Sequence, residues 1–305
     1  MGSTVAESRS QGNGVGIEAS KSVRPPFFVT KDEERTLRIN AGRLSPSLVI
    51  TQATSFDEYA RQLMVPSTVM DLARKASEIR LSTWEVEGIR AQLEPAGGGL
   101  LRRILKKKIE ADDSHPPYIR VACTGKGDYD DLAEEYGYTA TRHHGDAGSP
   151  VVLEIWPAQH YSPIHSHGDT TGIIHCLTGQ IDVMAYGALR WDAEKLGLLT
   201  LTPGQCAWLA GDQFGVHKVY CPMEGGSKAV DLDNLLNETS DYAATFHVYV
   251  NENEAVPHMY VPAKPDRREV FSFINEKTHE LEGFTTYSDL SWRILRRILA
   301  DYAAH

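Results

Sequence analysis

Between residues 151 and 250 the chain passes through seven short apolar segments, VVLEIW (151–156), GIIHCL (172–177), QIDVMAY (180–186), LLTLT (198–202), CAWLA (206–210), VHKVY (216–220) and TFHVYV (245–250). Each is five to seven residues long, which is too short for a stable helix and fits one pass of a strand. Gly, Pro, Asp and Asn punctuate them, at intervals typical of an all-β sandwich or barrel. The expected fold is therefore mainly β.

The flanks read differently. From Ser55 to Ile109 the apolar residues recur at helical spacing, as in Val69, Leu72, Ala73, Ala76 and Ile79. Ser82-Thr-Trp-Glu85 is a capping-box pattern ahead of VEGIRAQL. The basic stretch LLRRILKKKIE (100–110) is amphipathic and is expected to pack its Leu/Ile stripe while its charges are solvated. At the other end, Trp292, Leu295, Ile298, Leu299 and Tyr302 share one face of a C-terminal helix. These signals divide the chain into a disordered tail (1–30), a helical segment packed on the barrel (31–115), the barrel (116–275) and an extension ending in a helix (276–305).

Composition narrows the class. A net charge of −10 argues against nucleic acid as a partner, because phosphate contacts need a basic surface. No apolar run approaches a membrane span, and the polar, Gly/Ser-rich N-terminus lacks the apolar core of a secretory signal. Cys123, Cys176, Cys206 and Cys221 form no C-x-x-C pair and are expected to be reduced thiols of a cytoplasmic protein. The oligomeric state is open; a monomer fits.

His165 and His167 form an H-x-H pair, and side chains at i and i+2 of a strand leave from one face. A third imidazole, His217, from a neighbouring strand would close a three-nitrogen metal site with open positions, as catalytic metals need. The frame around the pair supports this. His165, His167, Gly172 and Gly179 resemble the first metal motif of the cupins, H-x-H-x(3,4)-E-x(6)-G, with Gly172 at the acidic position. Pro203-Gly204 and His217 resemble the second. That family implies a small β-barrel or jelly roll. Three histidines by themselves suit zinc, copper and nickel as well as iron.

More specifically, residues 138–249 resemble the cysteine dioxygenase family of thiol dioxygenases. The pieces occur in order: Tyr138-Thr139 with Arg142, Trp156 nine residues before His165, the H-x-H pair, His217-Lys-Val, and His247-Val-Tyr249. The resemblance implies one Fe(II) held by His165, His167 and His217, and conversion of a small thiol plus O2 to a sulfinic acid. It implies Arg142 as a clamp for the substrate carboxylate, with Tyr138 lining the same pocket. It further implies that Thr245, His247 and Tyr249 form a hydroxyl–histidine–phenol chain beside the metal, with His160 and Trp156 supporting the site. His247 and Tyr249 would be the acid/base pair.

Several residues depart from that pattern. Gly172 replaces the cysteine that animal members cross-link to the tyrosine, and Cys221 replaces an asparagine. The sequence after Tyr249 does not resemble the family's pocket-closing segment. L-Cysteine is the default substrate; 3-mercaptopropionate or a related thiol acid is the alternative. Other readings are a cupin with another metal that isomerises its substrate or cleaves a ring, and a non-catalytic metal cupin that binds a small ligand.

Overall fold

A computed structural model describes residues 30–44, 48–49, 55–94, 99–123, 125–138, 151–168, 170–209, 215–223, 241–251, 270–285 and 287–304. The architecture is mainly β, with helices at both ends of the chain. One sheet has seven strands: β1 (Leu48–Val49), β8 (Gln205–Leu209), β5 (Thr170–Thr178), β10 (Tyr242–Asn251), β3 (Val151–Pro157), β2 (Ile119–Ala122) and β13 (Leu290–Ser291), in that spatial order. The other has six: β12 (Leu281–Thr285), β11 (Val270–Ile274), β4 (His165–Ser166), β9 (Val216–Tyr220), β6 (Ile181–Tyr186) and β7 (Lys195–Leu201). Pairing is antiparallel except between β13 and β2. Among the described residues no pairing joins the two sheets into a closed barrel.

The sheets face each other across a core built from both. Trp156, Ile174, Ala207, Leu209 and Ala243 of the first sheet meet Ile181, Val183, Leu199, Leu201 and Val219 of the second. The helices α4 (Thr83–Leu93), α5 (Leu100–Ala111) and α6 (Trp292–Ala303) cover the outer face of the seven-stranded sheet. Their Ile89, Leu101, Ile104, Leu105, Leu295 and Leu299 pack on Ile119, Val121, Leu153 and Ile155. At ~25 cal/mol per Å2 of apolar surface removed from water, this second core is a major part of the stabilisation. The helices approach closely at Gly88, where a Cβ would lie 2.9 Å from Leu299 Cδ2.

Strand β3 is consequently buried on both faces. Leu153 and Ile155 face the helices, while Glu154 and Trp156 face the space between the sheets. That alternation places a carboxylate inside the fold.

The capping box at Ser82 is present, with the Ser82 N–H donating to Glu85 Oε2 at 2.7 Å. A second one starts α1 (Lys31–Leu44), where the Thr30 N–H donates to Glu33 Oε2 at 2.7 Å and the Glu33 N–H to Thr30 Oγ1 at 3.2 Å. This Thr30-x-x-Glu33 spacing is the same capping signal as at Ser82. α1 lies on the six-stranded sheet through Leu37. α2 (Phe56–Gln62) and α3 (Ser67–Ser77) follow, and Val69 and Ala73 of α3 pack on Ile173 and Trp208.

The basic stretch of α5 is not simply a solvated face. Arg102 is buried and donates to the Leu93 carbonyl at 3.1 Å, while Lys108 pairs with Asp289 at 2.8 Å. In α6, by contrast, Arg296 and Arg297 are exposed, as is half of Tyr302. The four cysteines are free thiols. No helix among the described residues is long and apolar enough to cross a membrane.

Candidate metal centre

His165 on β4 lies directly opposite His217 on β9, with ring centroids 4.3 Å apart. His167 follows β4 by one residue, immediately before a turn at Gly168 with φ of 61°, and its ring is 4.9 Å from His165 and 4.8 Å from His217. One nitrogen from each histidine falls within 4.8 Å of the others. All three side chains are buried.

The hydrogen bonds select tautomers. His165 Nδ1–H donates to the Pro163 carbonyl at 3.0 Å, which leaves Nε2 as a lone-pair donor. His167 Nε2 is buried without a hydrogen-bond partner, a costly state for a polar atom unless something else binds it. Three buried imidazoles, one with an orphaned nitrogen, fit a divalent transition metal.

Gly172 sits opposite Tyr249 across β5 and β10, and a Cβ on it would come 3.3 Å from His167 Nδ1. Lys218, next to His217 in sequence, is fully buried in an ion pair with Glu276 and lies 4.1 Å from the Tyr161 ring centroid. That pair ties β9 to the residues following β11.

Beside the histidines runs a buried polar chain. Trp156 Nε1–H donates to Thr245 Oγ1 at 2.8 Å, and Thr245 Oγ1 is 2.7 Å from His247 Nε2. The same Nε2 is 3.0 Å from Glu154 Oε2. When Glu154 is ionised it only accepts, and Nε2–H is then the donor. Nδ1 then accepts the phenol proton of Tyr249 at 3.3 Å. The Tyr249 ring stands edge-on to His167, centroids 4.9 Å apart.

Residues missed by the sequence reading complete the pocket: Tyr118, Arg120, Glu154, Phe271 and Phe284 line it with the triad, His247 and Tyr249. Arg120 on β2 is the direct cross-strand partner of Glu154, and its Nε is 3.2 Å from Glu154 Oε1. Tyr118 stacks on Trp156 at 3.9 Å. The i, i+2 spacing of Tyr118 and Arg120, which share one face of a strand end, was the available signal. The C-terminal extension closes this side: Asp289 Oδ2 accepts the Arg120 backbone N–H at 2.7 Å, and the Tyr287 ring centroid is 5.5 Å from Arg120 Cζ.

The expectation about Tyr138 changes. Tyr138 packs against the helical core and hydrogen-bonds Asp301, so it does not line the pocket. Tyr138, which follows the 3-10 helix Asp130–Tyr136, is held by the outer helices rather than by the space between the sheets. His160 acts at one remove, its Nδ1–H donating to the carbonyl of Pro117, just ahead of Tyr118 and Arg120. Arg142 lies outside the described residues.

Burial dominates the electrostatics. It depresses His165 and His160 to about 4 and pushes His167 and His247 well below the usual imidazole range. It raises Glu154 to about 7, against the pull of Arg120 and Lys108. The unfolded chain binds protons on its histidines near pH 6.5, so between pH 6.5 and 4 it binds more than the folded one. Stability of the metal-free protein should fall as pH falls through that window, by up to about 1.4 kcal/mol per pH unit per histidine. Glu154 opposes this with a single group, since its raised value favours the fold as pH falls from 7. Urea midpoints from pH 8 to 4 check it, and a flat profile would contradict the burial of neutral imidazoles.

No protein-family profile matches the chain, and no curated protein does. Solved structures with local similarity include an oxalate oxidase in complex with glycolate, at 12% identity over 32% of this chain and 40% of that one, TM-score 0.23. Another is the DMSP lyase DddQ from Ruegeria pomeroyi, at 15% identity over 37% of this chain and 44% of that one, TM-score 0.23. A third is procruciferin, an 11S globulin from Brassica napus, at 10% identity over 33% and 20%, TM-score 0.23. The chain thus spans less than half the length of each.

Proposed function

We propose that this chain is a cupin-type, Fe(II)-dependent thiol dioxygenase that converts a small carboxylate-bearing thiol, L-cysteine by default, to its sulfinic acid. The observation that carries the reading is one cavity lined by three buried histidines, a buried arginine and a phenol backed by a histidine. His165, His167 and His217 would hold Fe(II), which would supply the redox chemistry that couples a thiolate to O2. Arg120, which lines the cavity, offers its guanidinium to the substrate carboxylate, the planar fork that such groups accept. Tyr249 holds a proton at its phenol oxygen, oriented by His247, and can pass it to or from the bound substrate. Phe271 and Phe284 keep water from that face.

The test is anaerobic loading with Fe(II), then oxygen-electrode measurement with a thiol panel. Thiol-dependent O2 uptake and sulfinic acid product are expected. Bound iron with no uptake for any thiol would return the chain to the non-catalytic, ligand-binding reading. Tyr249→Phe should leave iron stoichiometry unchanged and lower kcat by about a hundredfold.

A further inference from the structure

The hydroxyl–histidine–phenol chain beside the triad does not end at its hydroxyl. Glu154, 3% exposed and facing the cavity, sets Oε2 3.0 Å from His247 Nε2, the nitrogen that Thr245 Oγ1 approaches at 2.7 Å. Its other oxygen, Oε1, lies 3.2 Å from Arg120 Nε. Thr245 does not by itself choose the tautomer of His247. Its oxygen accepts the Trp156 Nε1–H, yet a hydroxyl can still either donate its own proton to Nε2 or accept one from it. A carboxylate has no such freedom, and an Nε2 lone pair facing it at 3.0 Å would be repelled.

We propose that Glu154 is a positioning residue for Tyr249: its charge holds the proton on His247 Nε2, so that Nδ1 accepts the phenol proton and the Tyr249 oxygen enters the cavity as a hydrogen-bond acceptor. The part this acceptor plays in turnover rests on the thiol dioxygenase reading. Arg120 and Lys108 favour the ionised Glu154 that the arrangement requires, while burial and Asp289 oppose it. A divalent cation on His165, His167 and His217 would add to the first side, because it brings two positive charges to the same cavity. The Tyr249 ring stands edge-on to His167, so that cation would also favour a phenol that turns its lone pairs, rather than its proton, inward. Glu154→Gln inverts this polarity. Arg120 can only donate, so the amide oxygen stays with Arg120 and the amide NH2 turns to His247 Nε2. Nε2 must then accept, the proton moves to Nδ1, and Nδ1–H donates to the Tyr249 oxygen, whose own proton turns into the cavity.

The experiment reads the two ring nitrogens of His247 by long-range proton–nitrogen NMR of zinc-loaded protein with isotope-labelled histidines, the signals being assigned by their loss in His247→Gln. It is run at pH 8, above the Glu154 value of about 7. Wild type should show a protonated Nε2 and a bare Nδ1, and Glu154→Gln the reverse. Glu154→Asp, which keeps the charge, should keep the wild-type pattern. In iron-loaded protein, Glu154→Gln should lower kcat for thiol-dependent O2 uptake by about tenfold with KM little changed, the scale of one hydrogen bond turned the wrong way. In the Tyr249→Phe background the same substitution should cost less than ~2-fold, since the phenol it positions is gone. A bare Nε2 in wild type overturns the proposal, as does a Gln variant that keeps the wild-type tautomer, or a Gln effect of full size in the Phe background. If Glu154→Gln fails to fold, the wild-type tautomer decides alone. Absence of O2 uptake with every thiol sinks the dioxygenase reading, while the nitrogen signals still report on Glu154.

Discussion

Replacing His217 by alanine should abolish stoichiometric metal binding, weakening affinity by a hundredfold or more while leaving the fold intact. His217 is the pivot of the site because it pairs with His165 across β4 and β9 and comes within ring contact of His167. Removing it leaves two ligands from one short segment, with no third nitrogen to complete the set. Lys218 and Glu276, which lock β9 from the other side, are untouched by the change, so the strand should hold its place. Metal-to-protein ratio after dialysis, with circular dichroism as the control for folding, checks this. Full metal occupancy in the variant would show that the triad is not the metal site.

The second large effect concerns stability. Arg120→Met should cost about 3–5 kcal/mol of unfolding free energy, because it strands Glu154 as a buried carboxylate without its cation. The double variant Arg120→Met/Glu154→Leu should recover most of that loss, since replacing a whole buried pair by apolar side chains is often neutral. A pH dependence follows from the raised Glu154 value of about 7. Loss of Arg120, which lowers Glu154, moves the stranded group above its wild-type value, so it takes up its proton at higher pH than in wild type and the cost shrinks as pH falls. Urea unfolding of wild type, both single variants and the double variant at pH 6.5 and 8.5 measures the coupling. Additive losses would mean that the two groups do not interact.

Part of the metal site was readable because its chemistry is local. The H-x-H pair, the strand-like runs and the His247-x-Tyr249 alternation each show within a few residues, and periodicity alone places their side chains on common faces. The Arg120–Glu154 pair was not readable this way. A charged residue in a strand normally marks a solvent-facing position, and β2 and β3 are buried on both faces, so their alternation carries no polar signature. Only the register that sets Arg120 opposite Glu154 reveals that each is the other's partner. The same blindness put Tyr138 in the pocket, because linear order near a motif is no measure of which strand lies beside it.

What the sequence determined by itself is the mainly β character of the centre of the chain, the helical ends and the identity of three histidines able to hold a metal. The elements and the His165/His167 pair follow from spacing over one strand or one helical turn, and His217 from the motif resemblance. The tertiary structure alone decided which charged groups share the cavity with those histidines, and how the C-terminal extension braces Arg120. Cross-strand pairing and sheet-to-sheet packing join residues far apart in the chain, and the free energy of burying a charge depends on those neighbours rather than on its own place in the sequence.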